Sequence, residues 1–273
     1  MAGALHQLVL DIARQAQESP AAAFAAVLQS VAAGAADLAG RPGALTLSTD
    51  HVPQFTDGRL TGRASWIAPL SVGAIAIVAG RSADGLVACA VALDAPGVTL
   101  EPIQTSALPG LAFGNAVFTG TPCTVLGPTT GLMAKVRVLL AAAALGMGCR
   151  ALREGLAALH AQAGRPQGAG GEQTVQGLLA DAATELEAAA MLIEKAADTE
   201  TPSLADASMA KLAATEATQR AVARATQVIG AESFTDGHIV ERLAKDVRAL
   251  ELFAGRTEAL REAIAADVLP SGS

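Results

Sequence analysis

Proline and glycine split this chain into stretches that cannot share one kind of secondary structure. Prolines at 96, 102, 109 and 122 rule out long helices over that part of the chain, because proline lacks an amide proton and clashes with the preceding helical turn. Around them, short apolar runs at 74–78 and 86–93 lie between glycines and Asp-Gly pairs. Asp57 with Gly58, and Asp84 with Gly85, have the chemistry of two-residue hairpin turns, which need positive φ. A β-domain over residues 44–128 follows. From Thr130 onward the period changes to that of helices. Leu132, Val136, Leu139, Leu140, Ala143 and Met147 begin one long helix, and Val175, Leu179, Leu186 and Ile193 mark a second. Residues 206–229, 239–252 and 257–269 complete a helical bundle over 129–273. The Gly-rich stretch 164–171 reads as a flexible connection between the first two helices.

Residues 1–43 read as two short Ala-rich helices. They break at Ser19, a capping residue, and Pro20, which suits a first helical turn. The fold class is therefore α+β, with short N-terminal helices, a middle β-barrel-like domain and a C-terminal helix bundle.

A hydrophobic content of 51% raises the possibility of a membrane protein. However, the longest uncharged stretch, 102–134, is interrupted by Pro109, Pro122 and Pro128, and a spanning helix needs roughly 20 uninterrupted apolar residues. Alanine carries much of the apolar score and favours helices in water. Asp11 and Arg14 interrupt any secretory leader. Cys89, Cys123 and Cys149 are widely spaced, as expected of free thiols in a reducing compartment. These features predict a cytoplasmic protein that does not enter a membrane. A net charge of −7, 3% aromatic residues and no tyrosine argue against nucleic acid, which requires cations and stacking platforms. His6, His51, His160 and His238 are scattered and suggest no metal site. His51 beside Asp50 reads as solvated loop rather than an acid–base pair.

Several motifs, in order, carry a resemblance. Residues 58–68 (GRLTGRASWIA) are similar to G-x-x-x-x-G-x-K-x-W-I-T, and 93–98 (LDAPGV) to D-x-P-G-V. Residues 179–189 (LADAATELEAA) and 207–212 (ASMAKL) match L-A-D-M-A-x-x-x-E-A-A and A-S-M-A-K-L. Residues 240–258 (VERLAKDVRALELFAGRTE) resemble P-V-E-R-L-x-R-D followed by I-Y-E-G-T-x-E. Together these resemble the acyl-CoA dehydrogenase family across residues 44–270. The resemblance implies an FAD-dependent α,β-dehydrogenation of a CoA thioester, in which the Glu of Y-E-G-T takes the α-proton.

Departures from the family pattern shape the rest of the expectation. Ala254 stands at the base position, and Val136 at the alternative base position that some members use on the first long helix; neither can accept a proton. Glu251 lies one turn before Ala254, too far for general-base work. The resemblance places Trp66, Gln227, Gly230 and Glu258 against flavin. Ala68 stands where a threonine hydroxyl is usual, and 45–50 is a relic of the family's T-E-P loop. The E-R-x-x-F-G segment that usually grips the diphosphate is replaced by 159–166 (LHAQAGRP), where Arg165 could partly substitute. Residues 227–231 (QVIGA) keep half of the Q-x-x-G-G motif that neighbouring subunits donate. The expectation is a non-catalytic, N-terminally shortened subunit of an actinobacterial-type α2β2 complex. It would share FAD with a full-length dehydrogenase subunit, and that partner would bind most of a bulky acyl-CoA such as a steroid-derived thioester. Two alternatives stand beside it: a flavin-free structural or acyl-binding homologue, and a homomeric enzyme with repurposed chemistry.

Overall fold

A computed structural model describes residues 3–46, 51–162 and 173–269. The stretch 164–171, Arg165, Asp50 and most of the 45–50 relic lie outside the described residues. The chain opens with α1 (Ala4–Glu18) and α2 (Pro20–Ala35). Ser19 Oγ accepts the amide of Ala22 at 3.4 Å and Pro20 is the first helical residue, so the break forms as its residues dictate. Leu5, Val9, Ile12 and Ala16 put the buried face of α1 on one stripe.

Eight strands follow: β1 (Gly43–Thr46), β2 (Gln54–Thr56), β3 (Arg59–Ala68), β4 (Ile75–Ser82), β5 (Gly85–Ala92), β6 (Val98–Ile103), β7 (Phe113–Pro122) and β8 (Thr124–Pro128). Their order is β6-β7-β3-β1-β4-β5-β8. β1 and β2 lie end to end between β3 and β4: Leu45 faces Ala68 and Ile77, whereas Gln54 faces Thr61 and Arg81. The sheet curls around its own core, which includes Leu60, Ile67, Val78, Val91 and Phe118. Asp57 and Gly58 both adopt positive φ and join β2 to β3 as a tight hairpin. The β4–β5 turn differs from the sequence reading by one residue. Ser82 pairs with Gly85, so Ala83 and Asp84 form the loop and Gly85 begins the strand.

The bundle comprises α3 (Thr129–Gln162), α4 (Gln173–Ala197), α5 (Leu204–Ile229), α6 (Ile239–Leu252) and α7 (Thr257–Val268), with a 3-10 turn at Gly230–Phe234. α3 packs against α1, α2, α4, α5 and α6, which explains why it lacks a polar face. It is the one described helix long and apolar enough to cross a membrane, and 72% of its apolar window is buried within the protein. Two glycines allow this crowding. A Cβ at Gly146 would overlap the Ala13 carbonyl of α1, and one at Gly148 would overlap Leu186 of α4 and Thr218 of α5. The main core runs without interruption from Phe24 through Leu45, Ile77 and Phe113 of the sheet to Leu139, Val222 and Val247 of the bundle. Helices and sheet therefore meet along one apolar surface, and a cavity opens there.

Candidate functional site

α6 ends at Leu252, and the chain turns sharply through Ala254 (φ 56°) and Gly255 (φ 111°). Left-handed backbone costs an alanine about 1–2 kcal/mol, so the turn needs an external hold. Two cations from other helices supply it. Arg137 of α3 donates from Nε to the Ala254 carbonyl at 2.9 Å and from Nη1 to Ser208 Oγ at 2.7 Å. Lys211 of α5 donates from Nζ to the Glu251 carbonyl at 3.0 Å and the Gly255 carbonyl at 2.7 Å. These carbonyls lie at or just beyond the negative end of α6, where cations are favoured. Lys211 is 0% exposed. Burial pushes its ammonium down to about 7, the Arg137 charge pushes the same way, and Glu251 opposes both. Burial also lowers Arg137.

In front of the turn lies a cavity of about 730 Å³. Trp66, Phe113 and Phe253 form its aromatic wall. Trp66 and Phe113 meet edge to face at 6.1 Å, Phe113 stacks on Phe253 at 5.7 Å, and Phe24 backs Phe253 at 5.4 Å. Trp66 sits at an irregularity of the β3–β7 ladder with φ 57°, and its amide donates to Asn115 Oδ1 at 3.2 Å. The β6–β7 loop closes another side through Gln104, Thr105, Ser106 and Ala107. That loop is tied to α6, since the Leu108 amide donates to Asp246 Oδ1 at 2.6 Å. Burial raises the Asp246 carboxyl, outweighing the Leu108 bond, and Oδ2 has no described partner. Thr46 Oγ1, also in the wall, is buried without a described partner.

The wall's chemistry is defined by what it lacks. None of the described residues that line the cavity is Asp, Glu, His, Cys, Lys or Tyr; the only ionisable side chains are Arg137 and Arg256. Ala254 presents a methyl group. Glu251 is held on Gln219, Arg248 and Thr257 and does not line the cavity; their bonds keep its carboxyl low although burial raises it.

The residues singled out in the sequence scatter. Trp66 and Ala254 line the cavity, whereas Val136 is buried on α3 beside Arg137 and Ala68 is buried in β3, both outside the wall. Glu258 is exposed in the first turn of α7 and outside the wall, although Arg256 and Ala259 on either side line it. Gln227 is exposed near the end of α5, and Gly230 caps that helix at φ 80°. They stand about 24–28 Å from Lys211 along the α5 direction, at 1.5 Å per residue, and neither lines this cavity. His51 Nδ1 pairs with Ser65 Oγ at 3.0 Å.

Sequence reasoning missed Arg137, Lys211, Arg256 and the Phe113 wall. Lys211 left a readable signal, because it lies on the spacing of Ala207, Ala214 and Thr218, which are buried along α5.

The comparisons agree with this architecture. The family model for the acyl-CoA dehydrogenase C-terminal domain matches residues 129–269, more than half of the chain. A probable acyl-CoA dehydrogenase of Bacillus subtilis, YngJ, is 29% identical over 230 residues, which are 77% of this chain and 60% of the relative. Benzylmalonyl-CoA dehydrogenase of Aromatoleum aromaticum is 30% identical with the same coverage. This chain thus spans about 60% of the length of these relatives. Among solved structures, butyryl-CoA dehydrogenase of Megasphaera elsdenii superposes with a TM-score of 0.84 at 18% identity, covering 96% of this chain and 81% of the other. The match over the bundle and the likeness to the relatives lead to one conclusion: the chain belongs to the acyl-CoA dehydrogenase family.

Proposed function

We propose that this chain is the non-catalytic subunit of a heteromeric acyl-CoA dehydrogenase, two copies joining two copies of a partner that carries the proton acceptor. One observation carries the reading. The turn that would present the base is held in place by Arg137 and Lys211, yet no described side chain in the cavity wall can accept a proton. Abstraction of an α-proton needs an acceptor within about 3 Å or one water away. The described residues of the wall bring none, and in this reading the partner supplies it.

The cavity suits the ring end of FAD. A volume of about 730 Å³ with a flat aromatic wall accommodates a planar tricycle, and the unpartnered Thr46 hydroxyl would be satisfied by a polar ring edge. FAD, when bound, supplies the hydride acceptor for the substrate β-carbon. Trp66, Phe113 and Phe253 exclude water and orient the ring, while Arg137 and Lys211 keep the Ala254 turn from collapsing into the space. Gln227 and Gly230, remote from this cavity, serve a flavin held across a subunit boundary. Most of the thioester rests on the partner. In this reading the complex works in the cytoplasm, in keeping with the free thiols.

Colour and turnover test the proposal. The chain expressed alone should be colourless and inert toward acyl-CoA with an artificial electron acceptor. Co-expression with a full-length dehydrogenase bearing intact Y-E-G-T should give a yellow, active complex whose mass by light scattering contains both chains. A yellow chain that oxidises a thioester unaided overturns the reading.

A further inference from the structure

We infer that Arg256 is the anion-pairing residue of the cavity, selecting a ligand with a planar or aliphatic body and one carboxylate or phosphate. The inference rests on the cavity being the ligand site of the proposed function, and it does not depend on the heteromeric assembly.

The two guanidinium groups in the wall are not equivalent. Arg137 is buried, with Nε and Nη1 committed to Ala254 and Ser208. Arg256 lines the same cavity, is exposed, and its side chain makes no hydrogen bond or ion pair with a described residue. The described acids near it in sequence are placed so that they do not neutralise it. Glu251 is taken up by Gln219, Arg248 and Thr257. Asp246 is bonded to the Leu108 amide and does not line the cavity. Glu258, two residues on, lies outside the wall.

Two further features favour an anion here. Arg256 is the N-cap of the 12-residue helix α7, and its side chain does not cap the free amides behind it. Their partial positive charge adds to the guanidinium. The formal charge of the chain is −7, so its general field repels anions, and a cation in a wall whose described residues include no acid reverses that locally. The rest of the wall, with Met133, Leu252, Phe253, Phe113 and Trp66, suits an apolar or aromatic body. A phosphate on a flavin nucleotide and a carboxylate on an acyl chain present the same chemistry to a guanidinium fork.

The chain carries its own reporter, since Trp66 is the single tryptophan and stands in the cavity wall. Its fluorescence is followed in the purified full chain during titration with two matched pairs, FMN against riboflavin and decanoate against decanol. In at least one pair the anion should bind about tenfold tighter or more than its neutral partner. Added salt should narrow the gap. Arg256→Gln should abolish the difference without changing the neutral ligand or the melting temperature, since the side chain is exposed, and Arg256→Lys should restore part of it. Preference for FMN assigns the anion to a flavin nucleotide, and preference for decanoate assigns it to the acyl ligand. Equal binding within both pairs, no binding by any probe, or a preference that survives Arg256→Gln overturns the inference. The result is independent of whether the chain is colourless or inert alone, so this inference and the heteromeric proposal fail separately.

Discussion

The two sides of the turn at Ala254 are built on opposite principles. Behind it, two cations are buried and directed at backbone carbonyls, an arrangement that is expensive unless every donor finds an acceptor. In front of it, the described residues of the cavity wall include no acid, one hydroxyl without a described partner and one cation with no described partner. A rigid support with no reactive side chain to position shows that the support serves the shape of the cavity. Behind the turn, a change should therefore act on stability; in front of it, a change should act on what binds.

The strongest attack on that division is Arg137→Ala. It leaves the Ala254 carbonyl unpaired in the interior and opens a void, so a loss of about 3–5 kcal/mol is expected in chemical denaturation. A loss below about 1 kcal/mol would mean that the turn holds itself. Asp246→Ala removes the tie to Leu108 and should cost about 1–3 kcal/mol. It should also loosen the β6–β7 loop, seen as faster amide exchange at Leu108.

The Lys211 ammonium gives a smaller effect with a definite sign. Folding lowers its pKa from 10.5 to about 7, so between those values the unfolded chain binds the extra proton and stability rises with pH. Below pH 7 both states are protonated and the group adds no slope. Burial pushes the Cys89 thiol up to about 12 from its ordinary 9.0; the unfolded chain then loses that proton first, and stability falls with pH above about 9. The window for Lys211 is pH 7–9, where it should contribute at most about 1.4 kcal/mol per pH unit. Thermal melts across this range should rise for the wild type, and Lys211→Met should lose its share of the slope.

Thr46→Val should change stability least. Replacing an unpartnered buried hydroxyl with a methyl of the same shape should be neutral or stabilising, by about 1 kcal/mol or less. If FAD takes this cavity in the assembled complex, flavin retention should weaken while the melting temperature holds.

Much of the frame could be read from local chemistry. The Ser19–Pro20 break, the Asp57–Gly58 hairpin and the helical spacing from Leu132 onward depend on neighbouring residues, and the structure follows them. The Asp84–Gly85 turn slipped by one residue because Ala83 and Asp84 close the hairpin and leave Gly85 to pair with Ser82. The site was half legible. Trp66 and Ala254 were found through motifs, and Lys211 could have been, since a lysine on a buried helical stripe demands a partner. Glu258, which the motif resemblance sets against flavin, lies outside this wall, because a motif match does not reveal which way a residue faces.

The amino-acid order alone determined where strands give way to helices, because that depends on residue identity and short-range spacing, and its resemblance to the family motif put Ala254 where the motif has its glutamate. Only the tertiary structure decided that Arg137 and Lys211 hold the turn, that Phe24, Trp66, Phe113 and Phe253 share one cluster, and that Arg256 lines a cavity with no acid among its described residues. Those relations join residues up to 229 positions apart, from Phe24 to Phe253, and packing brings such residues together only when the whole apolar surface between helices and sheet is buried at once.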